Sequence, residues 1–286
     1  MNETELLFTE ALDYSCLDLY LNRHLSLGKE KSSFIASVLK RRIDTEPLQY
    51  ILGKTEFMGL EFRVGPDVFI PRPETEIVVE TALNLVHSSK FRVQSVLDLG
   101  TGSGCIAISL AKFLPHLNIT ATDISERALE IARQNAIINN VKIKFLCGDL
   151  FDNHELRTTN YELIISNPPY IPTQDLATLQ PEIKWEPRIA LDGGRDGMDF
   201  YRRIIKEIPD FLEKDGFLVL EIGHGQLEPL RELFRKSGCL EIIEILKDYS
   251  GIDRVLVARK IPNPKSQIPN KSQISNPNVR NCMFGI

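Results

Sequence analysis

The chain has 286 residues, 43% of them hydrophobic and 26% charged, with a formal net charge of −5. That length holds one large domain or two smaller ones, and the acidic balance excludes a global basic field for nucleic acid or an anionic membrane. No uninterrupted apolar stretch approaches the roughly 20 residues that a membrane span needs, and the start, MNETELLFTE, lacks the charged head and apolar core of a signal peptide.

Residues 1–46 read as helical. ALDYSCLDLYLNRHLS and KSSFIASVLKRRID place Leu, Phe, Ile and Val at three- and four-residue spacings with charges between them. The basic run Lys40, Arg41, Arg42 is the one compact cluster of its kind and reads as a solvated helix face. Across residues 47–73 the character changes. Gly53, Gly59 and Gly65 punctuate short runs of Ile, Phe and Val, which predicts a hairpin linking two domains.

From Glu74 onward strands and helices alternate. The strands are expected at Ser95–Leu99, Ile119–Asp123, Ile143–Cys147, Glu162–Ser166, Phe217–Ile222, Glu241–Leu246 and Arg254–Ala258. The helices are expected near Glu76–His87, Cys105–Phe113, Glu126–Ile138, Met198–Leu212 and Leu227–Lys236. Such alternation predicts an α/β fold with a largely parallel sheet and helices on both faces. The last two strands lack a helix between them and suit an antiparallel hairpin through KDYSGIDR. Residues 261–286 repeat K-S-Q-I amid Pro, Asn and Ser, a composition expected to be disordered. Cys16, Cys105, Cys147, Cys239 and Cys282 form no C-x-x-C pair, and the five histidines are equally dispersed. Reduced thiols in a cytoplasmic protein are expected, with no disulfide framework and no metal site.

The chemistry gathers where strands end. VLDLGTGSGCIAISLA ends a strand at Leu99 and sets Gly100, Gly102 and Gly104 at alternate positions before a helix. Glycines let a backbone turn sharply and approach a ligand, and a helix start offers free N–H groups. The spacing is neither the dinucleotide G-x-G-x-x-G nor the phosphate loop with its Lys; a tight strand-to-helix turn gives the same pattern. Asp123 ends the next strand, where an acid accepts hydrogen bonds from two ribose hydroxyls; a helix N-cap is the competing role, and Ser125 also fits it. Asp149 ends the third, as an adenine contact or a turn residue. The fourth delivers Asn167, Pro168, Pro169 and Tyr170 to the same edge. Pro168 pushes Asn167 out of the helical region, and both prolines have fixed φ. The result is a stiff platform with two acceptors, the Asn167 side-chain oxygen and the Pro168 carbonyl, that suit the two protons of an –NH₂ group. Tyr170 adds a ring to pack on a planar amide or base.

Together these motifs resemble the class I S-adenosylmethionine-dependent methyltransferases. More narrowly, EPLQYILG (Glu46–Gly53), IPRPETE (Ile70–Glu76), LDLGTGSG (Leu97–Gly104) with SNPPYIP (Ser166–Pro172), and EPRIALDGGRDGM (Glu186–Met198) resemble the release factor glutamine methyltransferases, the PrmC/HemK family. The resemblance implies a helical domain at 1–46 that grips a release factor, shorter than the family's by most of its first helix. It implies a hairpin linker at 47–73 and a seven-stranded Rossmann-like catalytic domain at 74–260, with an antiparallel last strand. The expected cofactor is S-adenosyl-L-methionine, on Gly100, Thr101, Gly102, Ser103, Gly104, Asp123, Asp149, Leu150 and Asn167. Catalysis falls to Asn167, Pro168, Pro169 and Tyr170, with Arg72 and Glu186 joining them in substrate binding. The expected substrates are bacterial-type peptide chain release factors 1 and 2, at the glutamine of their Gly-Gly-Gln loop, with no membrane and no direct nucleic-acid partner. The competing reading is an amino-methyltransferase acting on adenine N6 or guanine N2 of nucleic acid.

Overall fold

A computed structural model describes residues 3–12, 14–21, 24, 26–88 and 93–261 of the chain. The low-complexity tail from residue 262 onward lies outside the described residues. Four helices come first: α1 (Glu3–Leu12), α2 (Cys16–Leu21), α3 (Lys29–Ile43) and α4 (Leu48–Leu52). Of these, α1, α3 and α4 pack on a small core of Leu7, Ile35, Val38 and Leu48. Ile35 and Val38 lie three apart on the inward stripe of α3, while Leu39 and Ile43 of the same helix are exposed. The short helix α4 is the EPLQYILG segment. Its Leu48 joins the helical core, and its Tyr50 hydroxyl donates to the carbonyl of Val68. One helical turn thus ties the N-terminal helices to the stretch that leads into the main sheet.

The expected hairpin forms from β1 (Lys54–Phe57) and β2 (Leu60–Arg63), with Lys54 opposite Arg63. Met58 and Gly59 both have positive φ, 54° and 71°, as a two-residue turn of the primed type requires. Phe57 and Phe62 meet edge to face, with centroids 6.0 Å apart, and enter the main core.

The rest is one seven-stranded sheet in the order β5-β4-β3-β6-β7-β9-β8. Its elements are α5 (Pro73–Ser88), β3 (Ser95–Leu99), α6 (Cys105–Phe113), β4 (Asn118–Asp123), α7 (Glu126–Ile138), β5 (Lys144–Cys147) and β6 (Tyr161–Ser166), then α8 (Asp199–Glu207), β7 (Leu212–Glu221), α9 (Leu227–Ser237), β8 (Leu240–Lys247) and β9 (Asp253–Lys260). β3 to β7 run parallel, and β9 pairs antiparallel with both β7 and β8. Alternate strand residues divide the core in two. Val96, Leu163, Ile165 and Val219 face α5 and α6, while Leu97, Ile164, Leu218 and Leu220 face α8 and α9.

The expected helix Met198–Leu212 is shorter than its apolar spacing suggests. It ends at Glu207 because Pro209 lacks an N–H, and a tight turn over Ile208–Asp210 follows. Leu212 then belongs to β7, which starts five residues earlier than the expected Phe217. Tyr161 pairs with Leu212 but Leu163 with Phe217, so the intervening Asp-Gly segment bulges out of the sheet, with Asp215 at φ 63°.

The hairpin is fastened to the main sheet by α7. Asn135 is fully buried; its side-chain oxygen accepts from the Arg63 N–H at 2.7 Å, and its NH₂ donates to the carbonyls of Arg63 (3.0 Å) and Ser103 (2.9 Å). One carboxamide therefore joins β2 to the glycine loop. Asn135→Ala leaves the part-buried Arg63 N–H and two carbonyls without their partner, and is expected to cost ~1–3 kcal/mol. Denaturant titration would measure it; a stability equal to wild type would mean that water replaces the carboxamide.

Candidate active site

Parallel pairing brings the strand ends level. Leu99 of β3 is in register with Thr122 of β4 and Ser166 of β6; Asp123 is level with Cys147 of β5, and Ser166 with Leu220 of β7. The residues just beyond these positions open onto one carboxyl edge, the place where open α/β sheets take ligands. Every expected site residue except Gly104 and Glu186 lines a single cavity of about 420 Å³ there.

The glycine loop is built by its own backbone. The Thr101 N–H donates to the Thr122 carbonyl at 2.8 Å, and the Gly104 N–H donates to the Thr101 carbonyl at 2.8 Å. Gly100 and Gly102 have φ of 72° and 54°, and no atom lies within 4 Å of where a Cβ would stand on either. They supply both the turn and open space beside the backbone. Gly104 does other work. A Cβ there would come within 2.8 Å of Ile108 Cδ1 and 3.2 Å of Ala132 Cβ, so this glycine permits α6 and α7 to close on each other.

Asp123 faces the loop. Its carboxylate accepts from the Gly102 N–H at 2.8 Å and the Ser125 N–H at 2.9 Å. Burial lifts its pKa above the ordinary value against the pull of these donors. The cap of α7 is Ser125, whose hydroxyl accepts from the Ala128 N–H at 3.2 Å, so Asp123 is not needed there. Asp149 and Leu150 come just after β5, and the Asp149 carboxylate pairs with Arg203 of α8 at 2.9 Å. Beneath the loop Asp98 is fully buried. One of its oxygens accepts from the Thr101 hydroxyl at 2.6 Å, and the other has no partner among the described residues.

Asn167, Pro168, Pro169 and Tyr170 form the opposite wall. The Asn167 NH₂ donates to the Thr75 hydroxyl at 3.1 Å. Its side-chain oxygen and the Pro168 carbonyl accept no hydrogen bond from the described residues, and both residues line the cavity. Thr75 donates onward to Glu221 at 2.7 Å, and the Tyr170 hydroxyl donates to the other Glu221 oxygen at 3.2 Å. Burial and the neighbouring Glu221 raise the pKa of Tyr170 well above a free phenol's.

Backbone crowds around Tyr170. An added Cβ on Gly193 would stand 2.7 Å from the Tyr170 Cα, one on Gly223 would stand 2.9 Å from its ring Cδ2, and one on Gly197 would meet its carbonyl oxygen. Gln226 staples the three loops: its NH₂ donates to the carbonyls of Tyr170 (2.9 Å) and Gly197 (3.1 Å), and its oxygen accepts from the Gly223 N–H at 2.9 Å.

Arg72 and Glu186 pair with each other. The Glu186 side chain is 1% exposed, with one oxygen on Arg72 and the other accepting from the Ile70 N–H at 3.0 Å. Both of its oxygens are thereby occupied inside the protein, so Glu186 reaches the cavity through Arg72. The Arg72 guanidinium lies 4.8 Å from the centre of the Phe69 ring, and both line the cavity. Thr75, Glu221, Gln226 and Arg203 were not singled out from sequence. Glu221 carried a readable signal: it ends the apolar run FLVLE at the same edge as Asp123 and Asn167.

Burial raises the carboxyls of Asp98 and Glu221 to about 7, outweighing the hydrogen bonds that each one receives. Each binds its proton more tightly folded than unfolded, where 3.8 and 4.5 apply. The stabilisation is complete below those lower values and is lost as pH rises through about 7. Glu221→Gln removes one such group. Its thermal midpoint should exceed that of wild type near pH ~8, with the gap closing toward pH ~5; a gap that widens on acidification would contradict the raised value.

Comparison with known proteins adds to the geometry. The family model "Methyltransferase small domain" matches residues 73–183, and "PrmC N-terminal domain" matches residues 1–53. Among solved structures, the hMettl16 catalytic domain in complex with MAT2A 3'UTR hairpin 1 superposes with a TM-score of 0.60 at 17% identity, over 90% of this chain and 92% of that one. A methyltransferase from Pyrococcus furiosus gives 0.52 at 18% identity, over 82% and 98%. At such identities the likeness shows the fold alone. Closer relatives named release factor glutamine methyltransferase come from Geobacter sulfurreducens, 43% identical over 90% of this chain and 88% of the relative, and from Thermodesulfovibrio yellowstonii, 39% identical over 91% and 92%. One from Coxiella burnetii is 40% identical over 90% and 91%. With likeness of that degree along nearly the whole of both partners, this chain belongs to the release factor glutamine methyltransferase family.

Proposed function

We propose that this protein transfers a methyl group from S-adenosyl-L-methionine to the side-chain amide nitrogen of the glutamine in the Gly-Gly-Gln loop of peptide chain release factors. Release factors 1 and 2 of the bacterial type are its two substrates. The observation that carries the reading is the pair of acceptors at the cavity wall, Asn167 Oδ1 and the Pro168 carbonyl, left without protein partners among the described residues while the Asn167 NH₂ is tied back to Thr75.

The cavity fits the cofactor. Its volume lies in the range of small-molecule sites, Gly100 and Gly102 leave open space beside their backbone, and Asp123 stands at the end of the second strand with lone pairs to spare. Gly100 to Ser103 would hold the amino-acid end, Asp123 the ribose, and Asp149 with Leu150 the base. When bound, the cofactor supplies an electrophilic methyl group on a sulfonium.

An amide nitrogen is a poor nucleophile because its lone pair is shared with the carbonyl. Asn167 Oδ1 and the Pro168 carbonyl would each accept one of its N–H groups, which aims the nitrogen and opposes the positive charge that grows on it during transfer. One of the two protons is afterwards released to solvent. The prolines keep the two acceptors at a fixed spacing. Tyr170 and Arg72 wall the substrate side. The N-terminal helices, residues 1–46, supply a second contact to the release factor, supported by the exposed Leu39 and Ile43 of α3. No helix of the described residues is long and apolar enough to cross a membrane, and the cytoplasm, where translation ends, is the proposed compartment.

Mass spectrometry of a Gly-Gly-Gln-bearing release factor, incubated with the protein and cofactor, should find one added methyl group on that glutamine. Duplex DNA and RNA treated alike should gain none; methylation of nucleic acid alone would overturn the reading. Asn167→Ala is expected to bind cofactor normally and to transfer methyl at least ~100-fold more slowly. Asp123→Ala is expected to weaken cofactor binding by ~1–3 kcal/mol in calorimetric titration, and unchanged affinity would leave it a purely structural partner of Gly102.

A further inference from the structure

The Asn167 carboxamide has two orientations that differ by a half-turn. They exchange an oxygen for an NH₂ at the cavity wall, and only one of them offers an acceptor to an incoming N–H. A chain of hydrogen bonds behind Asn167 chooses between them. Glu221 ends β7 and is 2% exposed; both of its oxygens accept, one from the Thr75 hydroxyl at 2.7 Å and one from the Tyr170 hydroxyl at 3.2 Å. Thr75, in the first turn of α5, is equally buried. Its hydroxyl has a single proton, and with Glu221 ionised that proton goes to the carboxylate. A lone pair remains toward Asn167, 3.1 Å away. Only the NH₂ of a carboxamide can answer a lone pair, so the nitrogen turns inward and Oδ1 faces the cavity. Burial denies Thr75 and Glu221 a water that would serve either orientation equally well.

We propose that Thr75 and Glu221 are positioning residues that set the orientation of the Asn167 carboxamide, and through it make the site accept an N–H donor. The inference rests on the reading that Asn167 Oδ1 receives the substrate amide. It gives a task to the Thr of IPRPETE, and it explains why a carboxyl group is buried at the end of an otherwise apolar strand.

The test is steady-state methyl transfer by the full-length protein to a Gly-Gly-Gln-bearing release factor, with kcat and KM measured separately. Thr75→Val keeps the shape and removes both the proton and the lone pair. It is expected to lower kcat about tenfold or more, with KM for the release factor and affinity for cofactor changed by less than about twofold. Thr75→Ser restores the hydroxyl and should recover most of that loss. Glu221→Gln presents either an oxygen or an NH₂ to Thr75, admits both orientations, and should lower kcat by a smaller factor at unchanged KM. Adding it to Thr75→Val should cost little more, because the two act in one chain. Wild-type kcat in both Thr75→Val and Glu221→Gln, beside an inactive Asn167→Ala, would overturn the positioning role and leave the role of Asn167 standing. Equal losses in Thr75→Ser and Thr75→Val would also overturn it, since shape and not the hydroxyl would then matter. Wild-type turnover in Asn167→Ala would remove the underlying reading itself.

Discussion

β3 pairs in parallel with a strand on each side, and the cleft depends on that pairing. Leu99 stands level with Thr122 and Ser166, so Gly100, Asp123 and Asn167 leave the sheet side by side. Slippage by one residue would turn Leu97 and Leu99 away from one core and Val96 away from the other. The register is therefore held by apolar burial on both faces of the sheet. The chemistry at its edge inherits its spacing from a core that takes no part in it.

The polar groups buried beside the cleft work against stability. Asp98 and Glu221 are both held out of water, and burial raises both carboxyls far above their ordinary values. An oxygen of Asp98 lacks a partner among the described residues. Apolar residues of similar size would suit the fold better, but they would not hold the Thr101 hydroxyl under the glycine loop or the Thr75 hydroxyl behind Asn167. Carboxyls at these two places exchange stability for fixed orientation, as functional sites commonly do.

Three segments far apart in the chain meet beside the cleft. IPRPETE supplies Arg72 and Thr75, EPRIALDGGRDGM supplies Glu186 and the glycines that let backbone approach Tyr170, and the Arg72–Glu186 pair locks one segment onto the other. EPLQYILG reaches the same region from the helical side, through Tyr50 to the carbonyl of Val68. Trp185, just before the second segment, donates through its ring N–H to the Thr45 hydroxyl at 3.4 Å, and Arg42 of α3 lies 3.6 Å from Glu182. The N-terminal helices are thus in direct contact with the segment that leads into Glu186.

Local pattern alone determined the element types, the parallel sheet, the hairpin and the residues at its carboxyl edge, because periodicity, proline and glycine act over a few residues. It also marked Asn167 and Pro168 as paired acceptors, since the stiffness of Asn-Pro-Pro is local. The early end of α8 was legible in Pro209 but was outweighed by the apolar spacing that continued past it. The direction of the Asn167 carboxamide was settled only by tertiary structure, through Thr75 from α5 and Glu221 from β7; along the chain Thr75 stands 92 positions from Asn167 and 146 from Glu221. The same holds for Glu186, which sequence put against the substrate and folding put against Arg72. Gly104 looked like its neighbours in the loop and serves helix packing, because Ala132 lies opposite it. Hydrogen bonds between distant segments decide which face of a side chain is left for a ligand, and no spacing along a single strand or helix records them.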